Sequence, residues 1–104
     1  MAQIEWAESA LSDLDAIADY IAIDNSVAAA NFVRDVFDKV QLLEDFPEMC
    51  PYAHDLPDQR YRQLSAPPAR IFYRIQEEVV YIIYVMRAER HLKLTNLEAA
   101  DKSK

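Results

Sequence analysis

The sequence predicts an α+β domain: an N-terminal strand, a two-helix hairpin packed on a small, mainly antiparallel sheet, and a short C-terminal helix. Two observations support this class. Apolar residues recur at helical spacing through the first half of the chain, whereas the second half combines strand-like alternation with a long run of β-branched and aromatic residues. The order of these segments places both helices on one face of the sheet.

The segment from residue 69 to residue 91 gives the strongest strand signal. Ile71 and Tyr73 alternate with Arg70, Phe72 and Arg74, so a strand here has an apolar face and a face that carries arginines. Residues 79–86, VVYIIYVM, predict a central strand that is covered on both faces. Residues 76–78 form a short polar connection without the Asn-Gly or Asp-Gly pair that most favours a two-residue turn. We expect a hairpin.

The first half of the chain predicts one strand and two helices. Residues 3–6, QIEW, alternate and suit an edge strand. Apolar residues spaced by three or four positions predict an amphipathic helix over residues 8–24. A second helix begins after Asn25 or Ser26, either of which is a good N-cap, and is expected to reach Phe46, because Pro47 disfavours helical geometry in the residue before it.

Weaker signals complete the predicted architecture. Residues 47–60 form a proline-containing loop, residues 61–64 (YRQL) a strand, and residues 65–68 a break that ends in Pro-Pro. Leu92, Leu94 and Leu97 predict one helical turn, followed by a tail that frays from about residue 98. We interpret residues 1–104 as a single domain, since a chain of this length can build a core without metals or disulfides.

Composition limits cofactors and location. Cys50 is the single cysteine, no signal peptide is visible, and no apolar run approaches the roughly 20 residues of a membrane-spanning helix. A cytoplasmic protein fits best, and no membrane partner is expected. Cys50 and His54 fall far short of a zinc site, so we predict no metal and no cofactor.

Charge is distributed unevenly along the chain. The net charge is −7, but residues 1–58 carry 13 acids and two bases, whereas residues 59–104 carry nine bases and five acids. An acidic field opposes nonspecific binding to nucleic acid and favours a basic partner, while a local basic patch can still hold a phosphate or a carboxylate. Five arginines in neighbouring predicted strands form the candidate patch: Arg62, Arg70, Arg74, Arg87 and Arg90.

Three segments together resemble the RelE/ParE toxins of bacterial type II toxin-antitoxin systems. IEWAESALSDLDAIADYIA resembles the opening strand and first helix of that family, NFVRDVFDKVQLLEDFP its second helix, and RIFYRI followed by VVYIIYVMRAER its arginine-bearing hairpin. The resemblance covers nearly the whole chain. It implies a toxin that causes growth arrest, contributes to plasmid stabilisation, and is neutralised by a cognate antitoxin protein.

The family contains two kinds of toxin. RelE-like members are ribosome-dependent endonucleases that cleave messenger RNA, and ParE-like members inhibit DNA gyrase by binding, without being enzymes. RNA cleavage needs a group that activates the 2′-hydroxyl, cations for the phosphorane and an acid for the leaving oxygen. By resemblance, Arg62 and Arg70 match basic positions of the nuclease branch. Leu64, Ala88 and Leu94 stand where that branch has a lysine, an arginine and, nearby, a tyrosine.

The sequence therefore favours the ParE-like branch and disfavours enzymatic activity. His91 is the candidate catalytic group, because imidazole exchanges protons near neutral pH, although its position does not match the histidine of the family. Two alternatives stay open: an mRNA endoribonuclease that acts on the ribosome, and a non-toxic module that only binds an antitoxin. We expect Arg70 and Arg87 to contact the target or the antitoxin.

Overall fold

The computed structural model describes residues 1–57 and 59–103, and of Ser103 the backbone only. Residue 58 of the predicted proline loop and residue 104 of the predicted tail lie outside the described residues. Eight elements follow one another along the described chain: β1 (Gln3–Trp6), α1 (Glu8–Asp24), α2 (Ser26–Gln41), a 3₁₀ turn (Leu42–Glu44), β2 (Arg62–Ala66), β3 (Ala69–Gln76), β4 (Val79–Arg87) and α3 (Leu94–Ser103).

The sheet has four strands in the order β1-β4-β3-β2. β1 runs parallel to β4, and the other two pairs are antiparallel. The predicted α+β class with a mainly antiparallel sheet is confirmed. β1 and α1 have the predicted bounds, and β4 is an inner strand that is covered on both faces, as its apolar run indicated.

The helical hairpin covers one face of the sheet. α1 turns Ala10, Leu14 and Ile17 inward, and α2 adds an apolar stripe of its own. Asn25 joins the two helices as the N-cap of α2, since its Oδ1 accepts a hydrogen bond of 3.0 Å from the Ala28 N–H. Both helices pack on a core cluster that includes Val80 and Ile82 of β4 and Ile71 and Tyr73 of β3 among its sheet residues.

The prediction that the second helix reaches Phe46 is wrong. α2 ends at Gln41, and a tighter 3₁₀ turn follows over Leu42–Glu44. The tighter turn keeps Leu43 buried and leaves Phe46 exposed. The apolar spacing from Val40 to Phe46 fits both geometries, so burial against the sheet decides where the α-helix ends.

β2 differs from its predicted bounds. The strand runs Arg62–Ala66 and not 61–64, and Ser65 and Ala66 pair with Arg70 and Ala69. Only the Pro67-Pro68 pair forms the turn. Both prolines lie outside the strand, so their missing N–H groups remove no hydrogen bond from the ladder. Strand pairing therefore continues up to the turn.

The β3–β4 hairpin is confirmed and turns through Glu77 and Glu78, which have φ values of 50° and 68°. Both residues have a left-handed backbone conformation, as in a type I′ turn, although neither is the Asn or Gly that this geometry prefers. A bulge follows in β4, because Phe72 pairs with Tyr84 and the next residue, Tyr73, pairs with Ile82. Ile83 is the extra residue, and with Tyr84 it lies on the sheet face opposite the helical hairpin.

The predicted single C-terminal turn is too short, because α3 runs Leu94–Ser103. Leu97 is fully buried in a second cluster with Phe72 and Ile83, on the face opposite the helical hairpin. Burial of Leu97 supplies the packing that an isolated short helix lacks. Fraying of the tail from about residue 98 stays a prediction about motion. None of the described helices has the length and apolar character needed to cross a bilayer.

Candidate functional site: arginines on two faces of the sheet

Arg62 is separated from the other predicted patch residues. It pairs with Tyr73 and so shares the face of the sheet that the helical hairpin covers. Its guanidinium donates to the Cys50 carbonyl at 2.6 Å and lies 4.2 Å from the centre of the Tyr52 ring. Arg62 therefore fixes the segment between the 3₁₀ turn and β2, and the structure does not bring it together with Arg70 or Arg74.

Arg70 lies on the opposite face and is only 8% exposed. Its guanidinium forms a fork with Asp55, with distances of 3.2 Å to Oδ2 and 2.8 Å to Oδ1, and also donates to Gln63 Oε1 at 2.6 Å. Hydrogen bonds from the Arg70 guanidinium, helped by its charge, hold the pKa of Asp55 below its usual range. Arg70 also stacks over Phe72 at 4.9 Å. The guanidinium is occupied by its own chain.

Arg74 lies on the same face as Arg70 and binds α3. Its Nε donates to both carboxylate oxygens of Asp101, at 3.1 and 3.0 Å, and Tyr61 donates its hydroxyl to the same carboxylate at 2.7 Å. Burial, followed by the neighbouring Asp101 carboxylate, raises the pKa of Tyr61 to about 12. Arg60, which the sequence did not single out, adds an ion pair with Glu98 at 2.8 Å. These contacts attach α3 to the sheet.

Arg87 and Arg90 meet at the end of β4. Both line a cleft of about 350 Å³ between this strand and α1. Arg87 lies 4.4 Å from the centre of the Tyr20 ring and forms an ion pair with Glu89. Tyr20 is 59% exposed, so this stacked pair forms part of the surface. Of the five arginines in the predicted patch, Arg87 and Arg90 therefore share a cleft.

Asp13 and Tyr84 contribute ionisable groups to the same cleft. Burial raises the pKa of Asp13, while a hydrogen bond from the Val85 N–H opposes the rise. Burial also raises the pKa of Tyr84, and the nearby Asp13 carboxylate adds to that rise. The sequence singled out neither residue, although the helical spacing of Asp13, Ala16 and Tyr20 places these three along one side of α1.

His91 lies in the exposed segment between β4 and α3 and is not among the residues that line the cleft. The structure therefore does not place this predicted catalytic residue in the cleft that Arg87 and Arg90 share. Within residues 1–57 and 59–103, no group of three or more His, Cys, Asp or Glu side chains comes together as a metal site would require.

Comparisons with known proteins identify the family. The family model of the ParE toxin of type II toxin-antitoxin systems (parDE) matches residues 4–92. The chain is a RelE/ParE family toxin. It is 32% identical over 91 residues to Toxin RelE2 of Caulobacter vibrioides, an alignment that covers 86% of this chain and 99% of that protein.

The fold comparison agrees with the family. A solved structure of the chromosomal ParDE toxin-antitoxin system from P. aeruginosa matches with a TM-score of 0.70 and 25% sequence identity, over 86% of this toxin and 98% of the matched chain. The predicted resemblance to the RelE/ParE toxins is confirmed. The relatives carry names from both branches, so the residues of the site must be used to choose between them.

Proposed function

We propose that this toxin is of the ParE-like type and arrests growth by binding DNA gyrase, without catalysing a reaction of its own. The proposal rests on the pairing of Arg70 and Arg74 with carboxylates. Each guanidinium is engaged by a carboxylate of its own chain, Asp55 or Asp101. A nuclease needs free cations beside a proton donor to stabilise a phosphorane, and these two arginines are already neutralised.

Charge supports a protein target. The net charge of −7 opposes the approach of a polyanion such as RNA, because nucleic-acid affinity depends chiefly on neutralised phosphates. A protein surface has no such requirement. Binding alone can block an enzyme, and blocking needs no proton-transfer group at the interface.

A supercoiling assay with purified gyrase and this toxin tests the proposal. Inhibition of supercoiling, or trapped cleavage of the DNA, is the expected result. The toxin is incubated in parallel with ribosomes and messenger RNA, where no cleavage is expected. Cuts in ribosome-bound messenger RNA together with normal supercoiling would overturn the ParE-like assignment.

One observation favours the RelE-like alternative. The cleft at the end of β4 combines two arginines with Asp13, whose raised pKa lies nearer to neutral pH than that of an ordinary carboxyl and so suits proton transfer better. Similarity to Toxin RelE2 points the same way. If the toxin is a ribosome-dependent nuclease, the variant Asp13→Asn should lose the cleavage activity. If the toxin acts by binding alone, the same variant should still arrest growth. Harmless expression with neither activity would leave the non-toxic antitoxin-binding module.

A cognate antitoxin completes the proposal. The helical hairpin has exposed apolar residues, among them Ile23 and Val27 near its tip, within the half of the chain that carries the acidic excess. We infer that a basic, amphipathic antitoxin segment covers this face in the cytoplasm, and that the antitoxin adds contacts at a sheet edge. Affinity for the product of the neighbouring reading frame is measured by fluorescence anisotropy between about 0.05 and 0.5 M salt. An affinity that does not fall with salt contradicts the electrostatic part.

A further inference from the structure

The cleft at the end of β4 opens onto an uncovered part of the sheet edge. β1 pairs with β4 only as far as Ile82, whereas β4 continues to Arg87, and within the described chain no strand follows β1 on that side. Tyr84 belongs to the core cluster beneath α3 and Val85 to the cluster beneath the helical hairpin, yet both line the cleft. The cleft therefore surrounds the edge of the strand and is not confined to one face.

Asp13 of α1 covers this edge. Its Oδ2 accepts a hydrogen bond from the Val85 N–H at 3.4 Å. That distance is long against the usual value of about 2.9 Å for an N–H···O bond. A charged side chain placed over a free strand edge discourages unwanted pairing with other chains. A main-chain carbonyl of an added strand can replace the Asp13 carboxylate as the acceptor of the Val85 N–H and form a shorter hydrogen bond.

Arg87 and Arg90 provide cations beside the same edge. Arg87 is held in place by stacking on Tyr20, and its ion-pair partner Glu89 is exposed. Exposed ion pairs exchange partners at little cost. Arginine binds carboxylates through two parallel hydrogen bonds, and such charged bonds are roughly twice as strong as neutral ones. A carboxylate brought by a partner can therefore replace Glu89.

We propose that this cleft binds an extended acidic segment of the protein on which the toxin acts. The main chain of the segment pairs with β4 at Val85 and Arg87, and one of its carboxylates binds Arg87 and Arg90. The inference rests on the proposed function in one respect, namely that the target is a protein. The uncovered strand edge suits the N–H and C=O groups of a peptide main chain, which a nucleic acid lacks, so a peptide fits better than a nucleic acid.

A titration of the whole toxin tests the site directly. The probe is an acetylated and amidated peptide, Ser-Val-Glu-Val-Glu-Val-Ser, added to isotope-labelled toxin and followed by amide chemical shifts. Shifts are expected at Val85–Arg87 and around Tyr20, with slower amide exchange at Arg87. A matched peptide with Gln in place of Glu should bind about tenfold more weakly. Equal binding of both peptides, or shifts confined to another surface, would overturn the proposal.

Variants of the toxin separate a specific site from general charge attraction. Arg87→Gln and Arg90→Gln should each weaken binding of the acidic peptide by about tenfold. Arg34→Gln makes the same change of charge on the exposed surface of α2 and should leave the affinity unchanged. If Arg34→Gln weakens binding as much as Arg90→Gln, the cleft has no special role and the proposal fails.

Competition and growth assays distinguish the remaining outcomes. Inorganic phosphate and a short oligouridylate are added to the peptide complex, and the peptide should stay bound. Displacement at lower concentration by the oligouridylate would assign the cleft to nucleic acid and overturn the peptide site. Growth arrest by the unaltered toxin is recorded separately. Its absence contradicts the proposed function, whereas failure of the peptide titration contradicts only the inference about this cleft.

Discussion

The two faces of the sheet are held to their covering layers by different forces. Beneath the helical hairpin the core is apolar and extensive, formed by residues of both helices, β3 and β4. Beneath α3 the apolar cluster is smaller, and arginine–carboxylate pairs with Glu98 and Asp101 add to the attachment. Apolar burial does not depend on the ionisation of side chains and is not screened by salt, whereas ion pairs depend on pH and are weakened by salt. The difference indicates a stable hairpin layer and a more separable α3 layer.

Ile82→Ala and Ile83→Ala probe this contrast most strongly. The two residues are adjacent and both fully buried, but Ile82 faces the hairpin and Ile83 faces α3 because successive strand residues point to opposite faces. Each truncation should cost about 2–5 kcal/mol of local packing. For Ile82→Ala, urea unfolding should show this whole loss in the free energy of unfolding. Amide exchange should show that Ile83→Ala also releases α3 without opening the hairpin.

The control for this pair is the exchange pattern of α3 itself. If α3 stays as protected in Ile83→Ala as in the unaltered toxin, its attachment does not depend on the smaller cluster. If Ile82→Ala releases α3 to the same extent, the two layers unfold as one unit and the contrast between the faces is wrong.

Arg70→Met should have the next largest effect. It leaves the Asp55 carboxylate without its partner and should cost about 2–4 kcal/mol at neutral pH, whereas the double variant with Asp55→Leu should recover much of that loss. The pKa of Asp55 is lowered in the folded state, so its stabilising effect is present above the ordinary value of 3.8. It is lost as pH falls further, through the folded pKa.

Urea unfolding at neutral and at acid pH measures both effects. The difference between Arg70→Met and the unaltered protein should shrink as the pH falls below 3.8. A difference independent of pH would show that Arg70 stabilises the fold through its stacking on Phe72 and not through Asp55. The predicted role of Arg70 in partner binding requires a variant that keeps the fold, and this measurement establishes whether one exists.

Tyr61→Phe should have a smaller effect, about 1 kcal/mol, because Asp101 keeps its bonds with Arg74 when the hydroxyl is removed. The folded state holds the Tyr61 proton to about pH 12, against an ordinary value of 10.0. Stability should therefore fall between these pH values as the unfolded state ionises first. Thermal unfolding against pH should show a shallower alkaline decline in Tyr61→Phe, and the same slope as the unaltered protein in the exposed control Tyr20→Phe.

Asp13→Asn should give the smallest change, and in the opposite direction. The folded pKa of Asp13 is raised by burial, so its charge at neutral pH opposes folding. The side-chain amide oxygen of Asn still accepts a hydrogen bond from the Val85 N–H, and the variant should be slightly more stable than the unaltered toxin at neutral pH. The gain should vanish below pH 3.8, where the unaltered carboxyl is protonated in both states. A loss of stability at neutral pH would show that the Asp13 charge favours the fold.

Local sequence determined most of the secondary structure. The alternation of β3 and the apolar run of β4 predicted an inner hairpin, and helical spacing predicted α1 to the residue, because burial on one face leaves a periodic signal. The end of α2 and the length of α3 were predicted incorrectly. In both places short-range patterns fit two geometries, and packing on the sheet selects one of them.

The sequence alone determined the α+β class, the order of the elements, the uneven charge and the resemblance to a toxin family. The tertiary structure decided how the arginines are used. Arg62 and Arg70 look alike in sequence, but strand register sends them to opposite faces, where they bind different parts of the same loop, Arg62 at Cys50 and Arg70 at Asp55. Register and the bulge in β4 are set by contacts between distant segments, which leave no periodic signal in the chain. For the same reason only the fold could place Asp13 beside Arg87 and Arg90.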